Sequence, residues 1–133
     1  MHSTNYCATF IAVSPDSDAA TGKVPGKPGS VAWLQWRMVS DHPYRFTSDD
    51  VIFAVHAERN GIAEPDRPAA RAAFFAKGQP CLRSSPLVKT HGWGIHHDAQ
   101  GRVALFAVDS SRYAELLDCG DPTVVVGMRS KRG

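Results

Sequence analysis

Trp93-Gly94-Ile95-His96-His97, Asp98-Ala99-Gln100-Gly101 and Arg102-Val103-Ala104-Leu105-Phe106-Ala107-Val108 are the consecutive segments on which the fold turns. The central tetrapeptide opens with Asp and closes with Gly, the signature of a tight turn. Its flanks are rich in β-branched and aromatic residues, so the whole reads as a β-hairpin. Successive strand residues point to opposite faces. Trp93, Ile95 and His97 therefore share one face, expected to be the core side because of Ile95, and Gly94 and His96 share the other.

After the hairpin, Asp109-Ser110-Ser111 caps a short helix whose inward residues are expected to be Tyr113, Leu116 and Leu117, ending near Gly120. Thr123 to Met128 then reads as a β-branched strand. Toward the N-terminus, Asp66 is the expected cap of a helix with Pro68 in its first turn and Gly78 past its end. Ala69, Ala72, Ala73 and Ala76 would form its packing stripe, with Phe74 and Phe75 for bulk. An earlier helix begins at Thr47-Ser48-Asp49-Asp50, a hydroxyl cap with carboxylates where the helix dipole is positive, and stops at Asn60-Gly61. Residues 31–40 alternate at Ala32, Leu34, Trp36 and Met38, as a strand would. A Val31, Leu34, Met38 stripe, the cap Ser30 and the good helix formers favour a helix.

Asn5 to Val13 is the first strand, and a further short strand could form around Cys81 to Arg83. Between 14 and 30 the chain turns to Pro, Gly, Asp and Ser, which predicts a flexible loop that is long for a compact domain. The order β-α-α-α-β-β-α-β predicts an α+β domain spanning residues 1–133: a mainly antiparallel sheet with helices packed on one face.

The composition suits such a domain, with 43% hydrophobic and 21% charged residues. A net charge of +2, with the basic tail at 129–133 reading as a solvated terminus, predicts at most weak, salt-sensitive contact with nucleic acid. A helix-turn-helix is excluded, because the connection around Asp41 to Thr47 is too long and the second helix opens with acid. The longest apolar run, Val103 to Val108, is too short to span a membrane. The N-terminus lacks the pattern of a secretory signal. The 3 cysteines, Cys7, Cys81 and Cys119, are widely spaced, which points to a cytoplasmic protein without a disulfide framework.

Candidate chemistry concentrates between Cys81 and His97. Arg83 and Lys89 are suited to an anion, Ser84 and Ser85 add neutral donors, and Trp93 could stack on a planar ligand beside Gly92 and Gly94. A plain polar loop leading into the hairpin, with Trp93 in the core, accounts for the same residues. Cys81 is a reactive-thiol candidate, with His91 or His96 as its base, or else a buried cysteine. No metal or cofactor site is expected: His96 and His97 point to opposite faces, and no phosphate-loop or zinc-binding spacing occurs. Asp49 and Asp50 are explained by their place in a helix's first turn, and His56 as a helix-surface or packed residue.

Three functions stay open. The favoured one is a binding module for a small anionic or nucleotide-like ligand, using Arg83, Ser85, Lys89, Trp93 and His96. The alternatives are an enzyme using Cys81 or His96, and a protein- or nucleic-acid-interaction domain using the basic tail. The favoured reading also expects Arg83 and His96 to border one pocket at the open end of the hairpin.

Several segments together carry a resemblance. They are Thr4-Asn5-Tyr6, Thr9-Phe10-Ile11, Pro43-Tyr44, Thr47-Ser48-Asp49-Asp50-Val51 and Val55-His56-Ala57, then Phe75, Lys77-Gly78-Gln79, Cys81-Leu82-Arg83, Ser85-Pro86-Leu87, Gly92-Trp93-Gly94-Ile95-His96 and Met128-Arg129-Ser130. With them the chain resembles a family of small bacterial proteins of unknown function, over nearly its whole length apart from the Ser14 to Ser30 loop. The resemblance implies a stand-alone domain and transfers no activity, cofactor or catalytic residue.

Overall fold

A computed structural model describes residues 3–118 and 122–129. Cys119, Gly120 and the tail residues Ser130, Lys131, Arg132 and Gly133 lie outside them. The elements are β1 (Thr9–Ala12), α1 (Val31–Asp41), α2 (Ser48–Arg59), α3 (Arg67–Phe75), α4 (Pro86–Lys89), β2 (Trp93–His97), β3 (Val103–Ala107), α5 (Ser111–Asp118) and β4 (Thr123–Val126). They form an α+β fold around a 4-stranded sheet ordered β3-β2-β1-β4. The expected hairpin is β2–β3, in register from Trp93 opposite Ala107 to His97 opposite Val103. β1 runs antiparallel to β2 and parallel to β4, so the sheet is mostly antiparallel with one parallel edge pair. A parallel arrangement of β3 and β4 needs a crossover between them, and α5 supplies it.

That crossover changes one expectation: helices cover both faces of the sheet, not one. On one face Ile11, Ile95 and Val103 pack with Val39 of α1, Val51 of α2, Leu82 and Val88. On the other, Phe10 and Ala12 pack with Tyr113 and Leu116 of α5. The reason is in β1, where every position is buried. A strand apolar on both alternations needs cover on both sides. Gly94 makes room for the second layer. A Cβ there would run into the Phe10 ring and lie 2.7 Å from Tyr113 Cε2. The Phe10 and Tyr113 rings meet edge to face at 5.1 Å.

Residues 31–41 are helical. Ser30 Oγ accepts from Trp33 N at 3.2 Å, and the buried stripe is Ala32, Gln35 and Val39, one position round from the expected Val31, Leu34 and Met38. At α2 a reciprocal capping box forms: Asp50 N donates to Thr47 Oγ1 and Thr47 N to Asp50 Oδ2. α3 departs from expectation. A 3₁₀ turn over Glu64–Asp66 leads directly into it, so Asp66 already has helical backbone and its side chain caps nothing. The alanines at 69, 72, 73 and 76 are exposed, and the helix is anchored by buried Phe75 with Phe74 and Ala70 beside it. In α5, Ser110 is the cap, Tyr113 and Leu116 are buried, and Leu117 is exposed.

β1 begins at Thr9, later than expected, because the residues before it are drawn to α2. Asp49 accepts from Ser3 Oγ at 2.9 Å, Thr4 N at 2.7 Å and Thr4 Oγ1 at 2.6 Å. Asn5 Oδ1 in turn accepts from Asp49 N at 2.9 Å, satisfying a free amide of the helix's first turn. The segment at 81–83 is no strand: Leu82–Ser84 is a 3₁₀ turn that buries Leu82. The 14–30 loop contains no helix or strand, yet it is tied across the sheet. Ser14 N donates to Val88 O, Lys23 N to His91 O, and Trp93 Nε1 to Lys23 O. Among the described residues no helix is long and apolar enough to cross a membrane.

Candidate functional site

The structure disperses the residues singled out between Cys81 and His97. Arg83 lies at the outer edge of β4, where its Nε donates to Val126 O at 2.8 Å and its carbonyl accepts from Met128 N at 2.7 Å. His96 is on β2, separated from β4 by β1, on the face shared with Phe10. Its Nδ1 is 2.7 Å from the Tyr44 hydroxyl, and its ring meets Phe106. Leu82, next to Arg83, packs on the opposite face. Arg83 and His96 are therefore held apart, at β4 and at β2 with β1 between, and Phe10 and Tyr113 fill the space Gly94 leaves. Burial of Tyr44 raises its phenol above the usual range, with Arg112 pulling the other way.

Trp93 is half-buried at the start of β2, its indole donating to the 14–30 loop. Lys89 is the last residue of α4. Ser85 is 3% exposed and caps α4 by accepting from Leu87 N, while its hydroxyl donates to Gln35 Oε1 at 2.5 Å. Cys81 is a half-buried free thiol 3.4 Å from the Tyr6 hydroxyl. That hydrogen bond, with burial, raises the Tyr6 phenol, and the neighbouring Arg83 guanidinium offsets part of the effect. Neither proposed base meets the thiol: His91 is engaged with Thr90 and the Pro86 carbonyl, and His96 with Tyr44.

Cys81, Ser84 and Ser85 do share a cleft, one that Arg83, Lys89, Trp93 and His96 do not line. It is about 490 Å³ in volume and lies between the start of α1, the end of α2 and the connection from Gln79 to Pro86. Gln35 and Ser85 line it, as do His56, Arg59 and Asn60 from α2 and Gln79 and Ser84 from the connection. Among the described residues no carboxylate does. Three arginines pair with acids: Arg67 with Glu58 and Glu64, Arg71 with Asp50, and Arg112 with Glu115, whereas Arg37, Arg45, Arg83 and Arg102 form no such pair among the described residues. Arg59 has no such partner among the described residues. The negative end of the α2 dipole faces the same region, but amounts to about half a charge, less than the guanidinium supplies. The His56 ring is stacked against Phe74, centroids 4.5 Å apart and 32° from parallel, and both rings line the cleft. Beyond these rings a further groove continues to Lys77, again without a carboxylate among the described residues.

Sequence reasoning missed His56, Arg59, Asn60 and Gln79. A weak signal was present: His56, Arg59 and Asn60 stand at i, i+3 and i+4 and so share one helix face. Nothing local tied that face to Ser85, whose position depends on tertiary packing. Among the described residues no His, Cys, Asp and Glu side chains are grouped to hold a metal ion.

Fold and site together define an α+β domain with a mixed sheet, covered on both faces, and an open, donor-lined cleft in its larger helical layer. The chain belongs to a family of unknown function, DUF6157, which matches residues 1–133 and so extends the resemblance across the 14–30 loop. No curated protein and no solved structure matches the chain.

Proposed function

We propose that the chain works as one domain that binds a small anionic, nucleotide-like or aromatic ligand in the cleft beside Arg59. The observation that carries this reading is the character of the lining. It offers a guanidinium, an imidazole, amides and hydroxyls, a second cation at Lys77 next door, and, among the described residues, no carboxylate to neutralise them. An anion there gains charge-assisted hydrogen bonds, while a cationic ligand meets only like charge. The volume suits a small molecule rather than a macromolecule, and the mild net charge of +2 argues against nucleic acid as the partner. The free thiols Cys7 and Cys81 support a cytoplasmic setting, and the resemblance to small bacterial proteins supports a bacterial one. Catalysis by Cys81 draws no support from its surroundings, since the thiol meets a phenol and not a base.

The test is a thermal-shift titration with inorganic phosphate, adenosine monophosphate and benzoate at millimolar concentrations. At least one anion should raise the melting temperature. Arg59→Ala should weaken its binding by about tenfold or more, the loss of one charge-assisted hydrogen bond of about 1.5–3 kcal/mol. Shifts that are absent for all three anions, or unchanged in Arg59→Ala, defeat the proposal.

A further inference from the structure

Gln35 is 6% exposed, yet it lines the cleft. Its amide orientation is set from behind. Ser85 Oγ accepts from Leu87 N at 3.1 Å, which leaves the hydroxyl proton to go to Gln35 Oε1, 2.5 Å away. The opposite end of the amide, Nε2, then carries two donors, and no protein group among the described residues accepts from them. Trp36 Nε1 and His97 Nε2 are also without partners, but they are sealed from the surface. Among the described residues Gln35 Nε2 is not sealed in this way, and the open space that Gln35 borders is the cleft. A nine-tenths-buried amide with its acceptor end pinned and its donor end open is a directional group. It favours a ligand that presents a neutral acceptor and disfavours one that presents a donor or an apolar end.

The other groups give the ligand its shape. Arg59 is exposed, at the mouth, whereas Gln35 is deep. The stacked His56 and Phe74 rings line the same cleft and offer aromatic surface against which a ligand ring can pack.

We propose that Gln35 determines the specificity of the cleft, donating from Nε2 to a carbonyl-type acceptor at the inner end of a planar aromatic carboxylate whose anionic end is held by Arg59. This rests on the reading of the cleft as an anion site and adds to it the chemistry of the far end of the ligand.

The test uses three probes by isothermal titration calorimetry: para-acetylbenzoate, para-isopropylbenzoate and benzoate. The first two have nearly the same shape and differ in the acceptor oxygen. Wild-type protein should bind the acetyl probe about tenfold more tightly than the isopropyl probe, the equivalent of one hydrogen bond at about 1.4 kcal/mol. In Gln35→Glu the carboxylate still accepts the Ser85 proton but turns an oxygen toward the ligand, so the preference should vanish or reverse. Gln35→Met removes the donors without adding charge, so it should bind both probes equally. It carries the test should the glutamate variant fail to fold, as judged by circular dichroism. Equal affinity for both probes in wild-type protein, or a preference that survives both substitutions, overturns the assignment of Gln35. If benzoate binds and neither para-substituted probe does, Gln35 is not the inner recognition group and the anion site stands. If none of the three binds, this inference is overturned, and binding of phosphate or adenosine monophosphate decides the anion site separately.

Discussion

Asp49→Ala is expected to destabilise the protein by about 3 kcal/mol, although helix propensity alone favours alanine at that position. The wild-type carboxylate is 4% exposed and takes hydrogen bonds from Ser3 Oγ, Thr4 N and Thr4 Oγ1. Thr4 is equally buried, so removing the carboxylate leaves its amide with no acceptor and its hydroxyl with only Ser48 Oγ, 2.9 Å away. The carboxylate also faces the positive end of α2, and that favourable field is lost with it. Asp49→Asn keeps one acceptor oxygen and should lose about half as much. The α2 cap itself should survive, because Thr47 and Asp50 form it without Asp49. Urea unfolding measures the loss, and amide exchange at Thr4 reports whether residues 3–5 detach first. A loss below about 1 kcal/mol would mean that the clasp contributes little beyond a surface pair.

Stability is expected to fall by about 3 kcal/mol between pH 6.5 and pH 4 through His97 alone. The residue is fully buried, and burial holds its imidazole at about 4, below its ordinary value of 6.5. The geometry explains the direction. Nδ1 lies 3.3 Å from the Ile95 carbonyl, which can only accept, so the neutral ring carries its proton there. Nε2 is left with no partner, and the Tyr6 ring meets the imidazole edge-on at 5.4 Å. Protonation would place a charge on a ring shut away from water, and that cost outweighs the help of the Ile95 and Thr9 backbone groups. The neighbouring His96 disfavours the charge further, and Asp98 favours it slightly. The unfolded chain takes up its proton near pH 6.5 while the folded one resists until about pH 4. The contribution is therefore complete above pH 6.5 and is lost as the pH falls toward 4. Urea unfolding across this range should show the slope in wild-type protein and a flatter profile in His97→Phe. A proton NMR titration placing His97 near 6.5 would falsify the assignment.

Local signals in the sequence located most elements correctly because their causes were local. The Asp98–Gly101 turn, the Thr47 and Ser30 caps and the Asn60-Gly61 stop each depend on residues within one helical or hairpin turn. What was misjudged depends on distant partners. Asn5 and Thr4 have strand-like neighbours, but the buried Asp49 carboxylate takes them instead. The alanines of α3 looked like a packing face, but a helix is rotated by its heaviest anchor, and Phe75 is buried completely. The second helical layer was foreshadowed by apolar residues at both alternations of Thr9-Phe10-Ile11-Ala12, a pattern easily read as a half-buried strand. The candidate site suffered most. Ser85 was noticed for its hydroxyl, yet its cleft is completed by Gln35, His56 and Arg59 from α1 and α2, and no spacing rule connects those helices to it.

The parallel pairing of β1 with β4 also dictates an order of assembly. Ser14 and Met128, just past the ends of those strands, are joined by a hydrogen bond across 114 residues of chain. Closing a loop of that length costs about 4 kcal/mol of chain entropy beyond the constant term, whereas the β2–β3 hairpin closes through a few residues. The hairpin is therefore expected to form first, on the microsecond scale, and β4, which pairs only with β1, to dock after it. Until it does, the outer backbone edge of β1 is unpaired. An open edge of that kind recruits strands from other molecules, so the interval before β4 docks is when nascent chains are most exposed to aggregation.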